Sequence, residues 1–105
     1  MGLYCKVGDF VLQVSEIVNA VRPIFQQYHV REAVLFGSYA KGCAKEQSDV
    51  DLYVDSGLRG LKFFGLLGEI VDALPVPVDL LDRQMVTPGG TLEREIFNTG
   101  VKIEL

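Results

Sequence analysis

The 105-residue sequence predicts an α/β (α+β) fold in which four short strands are set among helices. Three observations carry that expectation. Apolar, β-prone runs of strand length recur at Glu32–Phe36, Val50–Val54, Pro75–Asp82 and Val101–Glu104. Stretches with helical spacing of apolar residues lie around them. Glycine or proline punctuates the junctions, at Gly37, Gly57, Gly60, Pro75, Pro88 and Gly100. Hydrophobic residues make up 49% of the chain, enough for one packed domain over 1–105 and too many for disorder.

Val14, Ile17, Val18, Val21, Ile24, Phe25 and Tyr28 recur at helical spacing and predict an amphipathic first helix. Pro23 should kink it or split off its last turn, because proline removes a helical hydrogen bond. His29 follows with no second ligand near it in sequence and reads as surface. Glu32–Phe36 is a buried strand, after which Gly37–Ser38 turns the chain into the short helical segment Tyr39–Lys41. Val50–Val54 is the second strand. A Gly57–Gly60 loop leads into a helix over Leu61–Leu74, with Phe63, Leu66, Leu67, Ile70, Val71 and Leu74 on one stripe. Phe63 reads as core and Phe64 as edge. Gly65 and Gly68 weaken this helix by propensity, so close backbone contact is expected there. Pro75 ends it, and Pro77 predicts that the third strand is an edge or begins there. Thr87–Gly90 is a loop, Thr91 a candidate cap for a helix through Asn98, and Gly100 a helix stop before the last strand.

The chemistry is concentrated in residues 37–51. A Gly-Ser pair, Gly37–Ser38, is followed after ten residues by Asp49-Val50-Asp51. Backbone N–H groups at such a strand-to-helix turn are unpaired and suit a phosphate. On a strand, side chains alternate faces, so Asp49 and Asp51 point the same way, roughly 7 Å apart at the backbone. Val50, Leu52 and Val54 fall on the opposite, core-facing side. Two such carboxylates can converge on two Mg²⁺ ions about 3.5–4 Å apart, the arrangement that stabilises charge in an in-line phosphoryl displacement. Gly37 and Ser38 would hold the rest of a triphosphate, with Lys41 the nearby cation. Glu46, Asp49, Asp51 and Asp55 outweigh Lys45 locally, and carboxylates this crowded repel one another unless a cation sits among them. Tyr53 shares the aspartates' face and reads as a packed tyrosine near the site.

Composition narrows the function classes. A net charge of −4 and the lack of a basic stripe argue against gripping a DNA or RNA template. No apolar run approaches the roughly 20 residues of a membrane span, and no signal-peptide pattern is seen. Cys5 and Cys43 are too few for a disulfide framework and too isolated for a zinc site, so free thiols and a cytoplasmic location are expected.

Leu35-Phe36-Gly37-Ser38-Tyr39-Ala40-Lys41-Gly42 followed by Ser48-Asp49-Val50-Asp51-Leu52 resembles the signature of the polymerase-β-type nucleotidyltransferases. More narrowly it is similar to the minimal nucleotidyltransferases, antitoxins that partner HEPN-domain ribonuclease toxins. The resemblance implies a mixed four-stranded sheet flanked by helices, ATP as substrate, Mg²⁺ as cofactor, and transfer of AMP to a tyrosine of the cognate HEPN toxin. It also implies a third carboxylate on a later strand, for which Asp79 and Asp82 are candidates. Asp79 lies inside the apolar run, where burying an unpaired carboxylate is costly, so it needs a metal or a partner. Asp82 lies at the end of the run beside Arg83 and can be solvated. The family's Val-Asp-Leu pattern also falls on Asp79, which is assigned. The expected catalytic and metal-binding residues are therefore Asp49, Asp51 and Asp79; the expected nucleotide-binding residues are Gly37, Ser38 and Lys41. Lys41 stands where many relatives have arginine, keeping the charge and losing the bidentate fork; Cys43 stands where an acid is common. Two other readings accompany this one: an antitoxin that neutralises by binding alone, and a nucleotidyltransferase subunit acting on a small molecule or RNA. The small size implies a partner, in a homo- or hetero-oligomer.

Overall fold

The computed structural model describes residues 12–45 and 48–105. The elements are α1 (Val14–Gln27), β1 (Glu32–Phe36), α2 (Gly37–Lys41), β2 (Val50–Asp55), α3 (Leu61–Ala73), β3 (Val78–Asp82), a 3-10 turn (Arg83–Met85), α4 (Thr91–Thr99) and β4 (Val101–Lys102). The strands form one mixed sheet in the order β3-β2-β1-β4. β1 is antiparallel to both β2 and β4, whereas β2 and β3 are parallel and joined by the α3 crossover that parallel pairing requires. Pro77 precedes β3, which is an edge strand, and its carbonyl accepts from Val50 N–H at 2.9 Å.

Strand alternation sorts the side chains into two layers. Ala33 and Leu35 of β1, Val50, Leu52 and Val54 of β2, and Leu80 of β3 face α1 and α3 in the larger core. Ile17, Val21 and Phe25 of α1 and Phe63, Leu66 and Ile70 of α3 fill it. On the opposite face Val34, Phe36 and Tyr53 pack with Val86 and Ile96, which brings α4 over the sheet. Phe63 is buried while Phe64 is 63% exposed. No described helix is long and apolar enough to cross a membrane.

Several local expectations are corrected. Pro23 does not split α1, which runs on to Gln27. Pro23 lies on the exposed side, and buried Val21 and Phe25 anchor the helix before and after it, so one missing hydrogen bond is tolerated. His29 is exposed, as its reading as a surface residue has it, and with φ 57 it also takes the left-handed conformation that stops α1, so that Val30 N–H closes onto Phe25 O at 3.0 Å. Thr91 is the first residue of α4 rather than its cap, and the helix start is tied instead by Gly89 N–H donating to Glu93 at 2.7 Å. Gly65 faces the Tyr28 hydroxyl, which donates to Glu69 at 2.5 Å, so its close neighbour is a side chain; Gly68 has open space. Of the expected α3 stripe, Val71 is exposed.

Tyr39 is buried, and its hydroxyl has no hydrogen-bond partner among the described residues. An unpaired buried hydroxyl is destabilising. Tyr39→Phe is therefore expected to leave stability unchanged or raise it by about 1 kcal/mol, read as an unchanged or higher Tm.

Candidate active site

The site is built where β1 turns into α2. Phe36 is fully extended, and Gly37 then takes φ +74, which lets the helix start without a connecting loop. A Cβ at Gly37 would overlap the Asp51 carboxylate. Glycine is thus required twice here, for the positive φ and for the space that Asp51 occupies. Phe36 and Asp51 are register partners across β1 and β2, so the carboxylate lies directly against the start of α2. That end has no side-chain cap. The helix closes after five residues, with Gly42 left-handed at φ 76 and Cys43 N–H donating to Ser38 O at 3.0 Å. Ser38 is half-buried, and Cys43 is an exposed free thiol. Cys5 and Glu46 lie outside the described residues.

Asp51 and Asp79 are neighbours. The parallel pairing of β2 and β3 sets them side by side, on the sheet face that α4 covers. Asp49 lies just before β2 and is exposed. Partial burial raises the pKa of Asp51 above the ordinary carboxylate value, and the charges of Asp79, Asp49 and Glu95 raise it further. Glu95 belongs to α4, where it accepts a hydrogen bond from Lys41 Nζ at 3.1 Å. No sequence signal marks Glu95 for the site, because its place depends on α4 packing against α2.

Among the described residues no three His, Cys, Asp or Glu side chains are arranged to hold a metal ion as they stand. The donor set nevertheless suits a hard divalent cation: carboxylate oxygens only, from neighbouring strands, repelling one another at Asp51. Magnesium keeps several waters and needs only one or two carboxylates per ion.

Two acidic residues stand differently from expectation. Asp79 is exposed, so it carries no burial cost, whereas Asp82 is only 3% exposed. Asp82 accepts from Ser56 N–H at 3.1 Å, from the Ser56 hydroxyl at 2.5 Å and from Gln84 N–H at 3.3 Å. It is a bracket that closes the ends of β2 and β3, not a solvated residue. Asp79→Ala should leave stability within about 0.5 kcal/mol of the native chain. Asp82→Ala should cost about 2 kcal/mol by leaving buried Ser56 donors unpaired, and denaturant midpoints of the two variants decide between these assignments. Asp55 does not join the acidic cluster either. It lies at the far end of β2, between Arg31 at 3.6 Å and Arg83 at 3.5 Å.

Tyr53 shares the face of Asp51 but is buried, with its ring edge-on to Phe97 at 5.4 Å. A cavity of about 500 Å³, lined by residues including Arg31, Asp55, Arg59, Asp82 and Arg83, opens at this same far end. It is four strand residues from Asp51, about 13 Å. Its basic and acidic groups balance, and the candidate carboxylates Asp49, Asp51 and Asp79 are not among its lining residues.

Residues 19–104 match the family model for polymerase beta nucleotidyltransferases. A Thermococcus cleftensis protein adenylyltransferase, MntA, is 40% identical over 89 residues, spanning 80% of this chain and 90% of that one. A Methanocaldococcus jannaschii protein with an inferred protein adenylyltransferase assignment is 32% identical over 94 residues, spanning 88% of this chain and 99% of its own. The backbone is similar to a chain in a crystal structure of a toxin–antitoxin with AMP-PNP, with a TM-score of 0.71 at 23% identity, covering 83% of this chain and 72% of that one. It is also similar to a chain in the structure of a tri-AMPylated Shewanella oneidensis HEPN toxin with its MNT antitoxin, with a TM-score of 0.65 at 20% identity, covering 86% and 71%. The mixed sheet, the Gly37 turn and these matches together place the chain in the polymerase beta nucleotidyltransferase family, alongside relatives named as protein adenylyltransferases.

Proposed function

We propose that this protein transfers AMP from ATP to a hydroxyl of a HEPN-type ribonuclease toxin, a tyrosine being the expected acceptor, and so acts as its antitoxin. The observation that carries this reading is the seating of Asp51 against Gly37, beside Asp79. It joins the glycine turn at the start of α2 to a carboxylate pair on one face. The relatives named as protein adenylyltransferases and the AMPylated toxin in the Shewanella oneidensis complex supply the acceptor class.

In this reading Gly37 and Ser38 offer backbone N–H groups to the triphosphate and Lys41 neutralises its outer charge. Asp49, Asp51 and Asp79 would hold two Mg²⁺ ions, which when bound neutralise phosphate charge and polarise the reacting oxygens. The acceptor oxygen forms its bond to the α-phosphorus while the bond from that phosphorus to the bridging oxygen breaks, and pyrophosphate leaves. Asp79, exposed beside Asp51, would take the acceptor's proton. The chain contributes positioning and charge, which is most of what in-line displacement at phosphorus requires.

The test is transfer of label from α-labelled ATP, with Mg²⁺, into protein and RNA of the source lysate. Label in a protein of HEPN mass, lost on chelation, is the expected result. Label in RNA would move the acceptor class. Absence of label, with toxin still neutralised by the purified chain, would replace catalysis by binding.

A further inference from the structure

Lys41 is the cation expected at the phosphates, yet its ammonium is already engaged. Its Nζ donates to Glu95 Oε2 at 3.1 Å, joining the last turn of α2 to α4. The two side chains are 43% and 41% exposed, so water reaches the pair and it can open without disturbing the core. Carboxylates of Asp79, Asp49 and Glu95 act together on Asp51. A free ammonium beside such a cluster would fall onto it and occupy the place a cation and a triphosphate need. Glu95 gives Lys41 a different partner.

We propose that Glu95 is a positioning residue that parks Lys41 away from the phosphate seat and competes with the incoming triphosphate for it. This rests on the nucleotidyltransferase reading of the site. A polyphosphate, with more charge than one carboxylate, takes Lys41 over when it arrives. Glu95 therefore sets the affinity for nucleotide without touching it. Removing the carboxylate acts in two ways: it frees Lys41, and it removes one like charge near the triphosphate. Only the first effect depends on Lys41, so the two separate in a double-mutant cycle.

The experiment measures ATP affinity by calorimetry at fixed Mg²⁺, using the full chain and the variants Glu95→Gln, Lys41→Met and both together, with thermal melts to confirm folding. With an exposed pair of this kind closed about two-thirds of the time, Glu95→Gln lowers Kd for ATP about threefold. In the Lys41→Met background the same change lowers it less than about twofold. Single-turnover AMP transfer at saturating ATP should change much less than Kd, a split that a merely structural role would not produce. Equal effects in both backgrounds would reduce Glu95 to simple repulsion and overturn the proposal, as would weaker binding in Glu95→Gln. Failure of the native chain to bind ATP would overturn the nucleotide site itself and the parked lysine with it, whereas binding without coupling overturns the parking alone.

Discussion

Transfer of AMP by the double variant Asp49→Asn/Asp51→Asn should fall by about a thousandfold or more, with the fold intact. The chemical step at phosphorus is limited by charge, and removing a single preorganised charge-stabilising group from an active site costs about 10²–10³-fold. Here two groups go, and in the proposed reading both serve the same reacting centre. The change is nearly isosteric, so the Asp51 side chain still fits over Gly37. Stability should respond in the opposite direction from activity. The folded-state pKa of Asp51 is raised, by partial burial and by Asp79, Asp49 and Glu95. An acid of this kind keeps its proton in the native state at pH values where the unfolded chain has lost it. Its ionisation therefore costs the native state nothing below the ordinary carboxylate value of 3.8 and progressively more as pH rises through the raised folded value. Metal-free Asp51→Asn is expected to melt above the native chain at neutral pH, and this advantage should vanish in acid below that lower bound. Added Mg²⁺ should raise the Tm of the native chain and leave the double variant where it was. Melting curves from pH 3 to 8, with and without the ion, read all of this without an activity assay. A double variant that still transfers AMP at the native rate would remove these aspartates from the chemistry.

Gly100→Ala should cost about 3 kcal/mol, a large penalty for one methyl group. Gly100 has φ −77, which any residue adopts, so the cost is purely steric. Its missing Cβ is where Ile96 O, a Val34 methyl and Leu35 O already crowd, the last at 3.1 Å. The approach is close because Gly100 ends α4, with its N–H on Ile96 O at 2.9 Å, immediately before β4 pairs with β1. A methyl group there must push α4 from β1 or break the Leu35–Val101 and Val34–Lys102 pairing. Against a total stability of about 5–15 kcal/mol this is a large fraction, and it corresponds to a Tm drop of more than about 10 °C. Gly68→Ala is the control. Gly68 lies within α3, and a Cβ there would meet nothing within 4 Å beyond its own helix, so the same methyl should stabilise by up to about 1 kcal/mol through helix propensity. Opposite signs at these two glycines would show that packing, not residue type, sets the outcome; a neutral Gly100→Ala would mean that α4 can shift freely.

What the sequence determined by itself was local. Strand alternation made Asp51 and the apolar Val50, Leu52 and Val54 face opposite ways. The Gly37–Ser38 turn between a buried strand and a short helix was readable for the same reason, since each depends on neighbours a few residues apart. The separation of Gly-Ser from Asp-x-Asp, with the resemblance it supports, led to the family. In the sequence both the cost of burial in the apolar run and the Val-Asp-Leu pattern favour Asp79 over Asp82, and the structure reverses the first ground: Asp79 is the exposed one. The choice nevertheless falls on the residue beside Asp51, because strand alternation gives Asp79, not Asp82, the parity of Asp51 once β3 pairs parallel to β2. That pairing, the capture of Asp82 by Ser56, the diversion of Asp55 to Arg31 and Arg83, and the arrival of Glu95 at Lys41 were decided only by the tertiary structure. Each joins residues far apart in the chain, and a carboxylate's role as ligand, bracket or ion-pair partner depends on what packing sets within a few ångströms of it.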